Sequence, residues 1–217
     1  MKGTIISLSK GKPKKLMSDG RSFISGIAKT AEKELFVTGT EITGDAVANT
    51  SFHGGADRVV CVYSHEHYTY WEKELGLPLQ QAAFGENLTV SGMVEDQVCV
   101  GDRFSIGTAI LEVSQGRFPC VTINLYNSQN QLLQSIFETG YTGYFFRVVK
   151  EGKIETEDIP IRIFEHPAKL SVAFIHHIFF HDKKNAEAIF DILQLDELAE
   201  EWKRKFLKLQ EKLNIED

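Results

Sequence analysis

Arg103-Phe104-Ser105-Ile106-Gly107-Thr108-Ala109-Ile110-Leu111-Glu112-Val113-Ser114-Gln115-Gly116-Arg117-Phe118-Pro119-Cys120 is the stretch on which the fold turns. Phe104 and Ile106 alternate with polar neighbours, and so do Leu111 and Val113. Gly107-Thr108 lies between the two runs, so the segment predicts a β-hairpin. Its second strand leads to Cys120, which follows a proline and lies three residues beyond Arg117. A strand end holds a side chain rigidly, and proline fixes the backbone approach to it. The arginine charge favours thiolate over thiol, and a thiolate is a nucleophile or a soft metal ligand. Taken alone, the segment leaves open the plainer reading that Cys120 is a small buried apolar residue.

Outward from the hairpin, further short apolar runs read as strands: Gly3 to Ser9, Glu34 to Val37, Val59 to Tyr63, Tyr144 to Val149 and Ile161 to Phe164. Many short strands separated by glycine suggest a barrel or sandwich up to about residue 166. One helix interrupts them, with Ser64 as N-cap, Glu66 in the first turn, Tyr68, Trp71 and Leu75 on one face, and Gly76 at its end. A weaker helical pattern covers Gln129 to Glu138. Beyond Pro167 the chain reads as three amphipathic helices. Ser171 caps the first (Val172, Ile175, Phe179), and the second is Lys183 to Leu193. Asp196 caps the third, with Leu198, Trp202, Leu209 and Leu213 on one stripe. So small a unit is expected to pack on the barrel or on a second subunit. The fold class is therefore mainly β, a barrel of residues 1–166 with a few peripheral helices, followed by a three-helix domain of residues 167–217.

The 217 residues are 42% hydrophobic and 25% charged, enough apolar material for a packed core. The net charge of −6 makes the chain a poor general binder of nucleic acid. Lys10, Lys12, Lys14 and Lys15 form the densest basic run and read as a solvated loop. The longest apolar stretch, Val172 to Phe180, is broken by two histidines and is too short to span a membrane. With no signal-peptide pattern at the N-terminus, a cytoplasmic location is expected and no membrane partner. Three widely spaced cysteines argue against a disulfide framework. Cys61 and Cys99 lie inside apolar strands and read as packing residues. His177 and His181 have helical i,i+4 spacing but no evident third metal ligand, so an exposed helix face is the simpler reading.

A second informative segment joins Gly44-Asp45 to His53-Gly54-Gly55-Ala56-Asp57-Arg58. Paired glycines let the backbone approach a ligand, and consecutive N–H groups in such a turn cradle anions. Arg58 can add a bidentate contact, and His53 can carry a proton. A tight turn with an Asp57–Arg58 surface contact is an equal reading of the same residues. Glu86 and Asn87, at the start of another strand, offer further polar groups or mark an ordinary loop-to-strand junction.

The ordered set Gly44-Asp45, His53-Gly54-Gly55-x-Asp57-Arg58, Glu66-His67-Tyr68, Gly85-Glu86-Asn87-Leu88, Val98-Cys99-Val100-Gly101-Asp102 and Gln115-x-Arg117-x-Pro119-Cys120 resembles the MOSC domain family, named for the C-terminal domain of molybdenum cofactor sulfurases. The closer similarity is to its bacterial YiiM-like subgroup, which carries a three-helix C-terminal domain, and it covers nearly the whole chain. The resemblance implies a β-barrel that holds a molybdenum cofactor (molybdopterin), with Cys120 as ligand to the metal and no pyridoxal phosphate. It implies that Lys29, Gly54, Gly55, Asp57, Arg58, Asn87 and Arg117 bind the cofactor, with Cys120 and His53 in the chemistry. The family usually reads Gln-Pro-Arg where this chain has Gln115-Gly116-Arg117, and glycine there is expected to loosen the approach to the cysteine.

The function this implies is reduction of N-hydroxylated small molecules such as hydroxylaminopurines, with electrons from a separate redox protein, since no flavin or iron–sulfur motif is visible. A homodimer is compatible with the helical tail. Two rival classes use the same residues: a sulfur carrier with a persulfide on Cys120, and a binding module without turnover.

Overall fold

The computed structural model describes residues 1–217 apart from Asp19, Thr50, Ser51, Phe52, His53, Leu77 and Asp217, and for residues 214–216 the backbone only. Its strands are β1 (Thr4–Lys10), β2 (Lys14–Ser18), β3 (Arg21–Ser25), β4 (Thr30–Glu32), β5 (Glu34–Val37), β6 (Val60–Ser64), β7 (Leu88–Ser91), β8 (Arg103–Ile106), β9 (Ala109–Gly116), β10 (Tyr144–Lys150), β11 (Gly152–Glu155) and β12 (Ile161–Phe164). The helices are α1 (His65–Leu75), α2 (Thr122–Asn127), α3 (Leu132–Thr139), α4 (Val172–His181), α5 (Ala186–Leu193) and α6 (Glu200–Glu216).

The hairpin read from the sequence is β8–β9, paired Phe104 to Leu111 and Ile106 to Ala109. It sits in an eight-stranded sheet of order β12-β8-β9-β10-β6-β7-β1-β4. The sheet is antiparallel except where α1 carries the chain from β6 to the parallel β7. It curls into a half-barrel in which the β12 edge reaches the chain just before β1. Lys2 bridges Ile161, Gly3 N donates to Pro160 O at 2.9 Å, and Arg162 N donates to Met1 O at 3.1 Å. The small β2–β3 and β5–β11 ladders stand outside this sheet.

Strand alternation sends Leu8, Val60, Val62, Phe104, Leu111, Val113, Tyr144 and Phe146 into one core. The opposite face of β6 contributes Tyr63 to a second cluster with Trp71, Phe84, Ile123 and Ile136 beneath α1, α2 and α3. One irregularity matters for the site. Phe146 pairs with Val113 but its neighbour Phe145 pairs with Gln115, so β9 carries a bulge between them. The bulge reverses the facing of the residues beyond it: Gln115 leaves the face of Leu111 and Val113 and joins the row Phe145–Cys61 across β10 and β6.

The helices differ from expectation in detail. Ser64 stands at the N-cap position of α1 as expected, but its hydroxyl donates to Met93 O at 3.1 Å instead of bonding the helix end. Helix α2 was not evident from sequence, and α3 starts at Leu132 rather than Gln129. Ser171 caps α4, accepting from Phe174 N at 3.1 Å. Asn185 caps α5, accepting from Ala188 N at 3.0 Å, so that helix begins after Lys183-Lys184. Helix α6 starts beyond Asp196, and Leu198 is buried in the turn before it.

The three C-terminal helices share the barrel core: Val172, Ile175, Ile178, Ile192, Trp202 and Phe206 belong to the same apolar cluster as β6 and β9. The docking point is Gly116. Trp202 Nε1 donates to Gly116 O at 3.0 Å, and the His176 ring stacks on Trp202 at 5.0 Å between centroids. A Cβ at Gly116 would fall on the His176 ring. Gly116 therefore serves to admit this ring, which corrects the expectation that glycine loosens the chain there. Among the described residues, no helix is long and apolar enough to cross a membrane.

Candidate functional site

The site is built on the face of β6, β9 and β10 turned away from the barrel core, where β9 runs out toward Cys120. Arg117 N donates to Gly143 O at 2.9 Å, which extends the β9–β10 ladder by one residue and fixes the arginine backbone. Its Nη1 is buried with no hydrogen-bond partner, and no carboxylate among the described residues forms an ion pair with it. Burial opposes the charge of this guanidinium, yet the Cys61 and Cys120 sulfurs, followed by Glu86, raise its pKa on balance. Cys120 is half-buried and Cys61 buried. Burial pushes the Cys61 thiol up, with Arg117 pulling partly against it, so at neutral pH Cys61 is a thiol.

Lys29, Asp45 and Asn87 form one network beside this cluster. Lys29 ion-pairs with Asp45, and both side chains are nearly buried. Asp45 Oδ1 also accepts from Gly11 N at 2.8 Å, while its Oδ2 accepts from Asn87 Nδ2 at 3.0 Å. Asn87 completes its bonding with Ser9 O at 3.1 Å and Cys61 N at 3.1 Å. Glu86, fully buried, accepts from Tyr68 OH, from Thr89 Oγ1 at 2.9 Å and from Phe84 N at 3.2 Å. The Gly44-Asp45 and Glu86-Asn87 motifs thus converge on the backbone of Cys61.

Gly54 and Gly55 take left-handed φ values of 79° and 93°, and Arg58 folds back onto the turn through Nε to Gly54 O at 2.8 Å. Asp57 and Arg58 do not pair with each other. Arg58 Nη1 meets Glu201 of α6 at 2.6 Å, and Asp57 accepts from Arg147 Nη2 at 2.7 Å. The Asp57 carbonyl accepts from Ser114 Oγ, which anchors this turn on β9. His53 lies outside the described residues.

Sequence reasoning passed over two residues of this cluster. Cys61 reads as a packing residue because its strand is apolar throughout, and it is buried, but it lies in the Phe145 row, outside both apolar clusters. Gln115 is only 2% exposed, and its Oε1 is buried without a partner. Strict alternation from Leu111 and Val113 would turn it inward; only the bulge places it here. By contrast, Cys99 bridges Ser171 at the start of α4, where burial and Asp102 raise its pKa to about 11. His177 and His181 lie 5.7 Å apart between ring centroids, and His181 Nε2 meets Phe137 O at 3.0 Å. No group of three or more potential metal ligands occurs among the described residues. A surface depression of about 340 Å³ between α2, α3 and α4, lined by Asn124, Phe137 and His181, excludes Cys120 and Arg117. Among the described residues, unpaired polar groups mark the site.

Comparison with known proteins identifies the family. The MOSC domain model matches residues 49–159, and the YiiM-like 3-alpha helix domain model matches residues 170–212. The uncharacterized protein YflK of Bacillus subtilis is 40% identical over 97% of this chain and 96% of its own. Protein YiiM of Escherichia coli is 32% identical over 89% of this chain and 88% of its own. A Gibberella moniliformis protein named a reductase is 31% identical over 76% of this chain but only 30% of its own length. The crystal structure of YiiM from Geobacillus stearothermophilus superimposes with a TM-score of 0.82 at 34% identity, covering 96% of this chain and 99% of that one. The chain belongs to the MOSC domain family, in its YiiM-like branch with a three-helix C-terminal unit.

Proposed function

We propose that this protein is a molybdenum-cofactor-dependent reductase of N-hydroxylated compounds such as hydroxylaminopurines. The observation that carries the reading is Arg117, a buried guanidinium whose Nη1 amino group has no hydrogen-bond partner, close to the Cys120 thiol. A buried donor left unpaired costs about 1–3 kcal/mol, a cost that a bound ligand oxygen removes. The MOSC family is associated with molybdenum cofactor, and a relative bears the name reductase.

The donor set fits such a cofactor. Cys120 offers a soft sulfur ligand, and the Arg117 charge favours its thiolate form. Lys29, held by Asp45, and the Gly54-Gly55 turn suit the anionic phosphate end. Asn87 acts through Asp45, because both of its amide hydrogens are engaged. Arg58 and Asp57 hold the turn against α6 and Arg147. When bound, the cofactor supplies two-electron chemistry at an oxygen atom, with electrons delivered by a separate redox protein.

Wild-type protein from a host that makes the cofactor is expected to contain stoichiometric molybdenum and to reduce a hydroxylaminopurine with an artificial electron donor. Cys120→Ala is expected to lose metal and to lower the rate about 100-fold or more. Equal rates in the two proteins refute the reading. Labile sulfur without molybdenum would replace it with the sulfur-carrier role.

A further inference from the structure

Two buried polar atoms without partners occur two residues apart on one strand end: Gln115 Oε1, an acceptor, and Arg117 Nη1, a donor. Residues i and i+2 of an extended strand share a face and lie about 7 Å apart. Both side chains belong to the Cys61 face: Gln115 through the cross-strand row with Phe145, and Arg117 by alternation one residue beyond Gly116, which pairs with core-facing Tyr144. The orientation of the Gln115 amide is not arbitrary. Its Nε2 donates to Gly116 O at 3.3 Å, an atom that can only accept, so the oxygen must be the unpaired end. The bulge in β9 is the device that aims it there.

A group that satisfies both atoms at once must accept from a guanidinium and donate to a carboxamide. A hydroxyl does both. An amine lacks the free lone pair once conjugated to a ring, and an N-oxide lacks the proton. Resting on the reductase reading above, we infer that Gln115 is the specificity-determining residue of this site: with Arg117 it recognises the O–H of an N-hydroxylated ligand and discriminates against the corresponding amine and against N-oxides. The same pair then releases the amine product, which leaves Gln115 Oε1 and Arg117 Nη1 to water.

The test is equilibrium binding of a hydroxylaminopurine and of the matching aminopurine to cofactor-loaded protein, by calorimetry and with no electron donor present. Wild type is expected to bind the N-hydroxy compound about tenfold more tightly, the ratio that one satisfied buried hydrogen bond supplies. Gln115→Met, similar in length but without the acceptor, should reduce that ratio to about one. Gln115→Glu, which keeps an acceptor oxygen, should retain it. Thermal melts of both variants report folding. An undiminished ratio in the Met variant, or no preference in wild type, overturns the proposal and leaves the pair bridged by water only. Turnover measured separately keeps the two readings apart. Reduction without hydroxyl preference removes this inference alone, and hydroxyl preference without turnover removes the reductase reading alone.

Discussion

His176 shows how one residue ties the helical unit to the strand that ends at the site. It is buried, its Nδ1 meets Thr142 Oγ1 at 2.8 Å, and its Nε2 is unpaired near Gly116. Burial lowers its pKa from 6.5 to about 3. The folded chain therefore binds fewer protons than the unfolded chain between those values. The stabilisation is complete above about pH 6.5 and is lost as pH falls toward 3. From pH 7 to 5 this ring alone should cost about 2 kcal/mol. Urea unfolding at the two pH values checks it: His176→Gln should show a smaller drop than wild type, and parallel drops would contradict it. Residues of the site were legible in proportion to how local their signal is. Arg117 and Cys120 announce themselves because charge, proline and thiol are adjacent. Gly116 was visible as a departure, but its cause, an aromatic ring sixty positions later in the chain, was not. Cys61 hid in an apolar strand, since composition cannot say which face of a sheet meets an arginine.

At the scale of elements, β9 carries most of the organisation. Its outer face holds an ion-pair chain: Arg103 Nε to Glu112 Oε2 at 2.6 Å, Arg147 Nη1 to Glu112 Oε1 at 3.0 Å, and Arg147 Nε to Asp57 Oδ1 at 2.9 Å. This chain clamps β8, β9 and β10 to the turn just after the paired glycines. Glu112 is buried, but both arginines reach solvent. Glu112→Gln should therefore cost about 1–2 kcal/mol, below the range for a fully buried pair. Chemical denaturation measures it, and an unchanged midpoint would mean that the clamp is decorative. The β8–β9 hairpin was readable because alternation and turn chemistry agree. The bulge was not, because an inserted residue leaves no mark on composition. Helix α2 was missed for a related reason: Thr122–Asn127 has one buried residue, Ile123, too few to write a helical period.

The apolar cluster makes the whole molecule one cooperative object, since it runs without a break from β6 and β9 to α6. Trp202 is fully buried and is bonded to Gly116 O. Trp202→Ala should cost about 3–5 kcal/mol and should lower the melting of barrel and helices together. Two separate transitions in wild type, tracked by strand and helix signals, would show instead that the two parts melt independently. The change of composition after Pro167 was plain in the sequence, and packing on the barrel was one of two partners it offered; the choice between barrel and second subunit was not legible, because a stripe of apolar residues does not name its partner.

The seam between Lys2 and Ile161 carries a consequence for how the chain comes into being. The first strand is made early, yet one of its neighbours is translated some 160 residues later. Until then its edge stays open to unwanted pairing. Joining such distant segments is entropically slow, so closure of this joint belongs among the last events of folding.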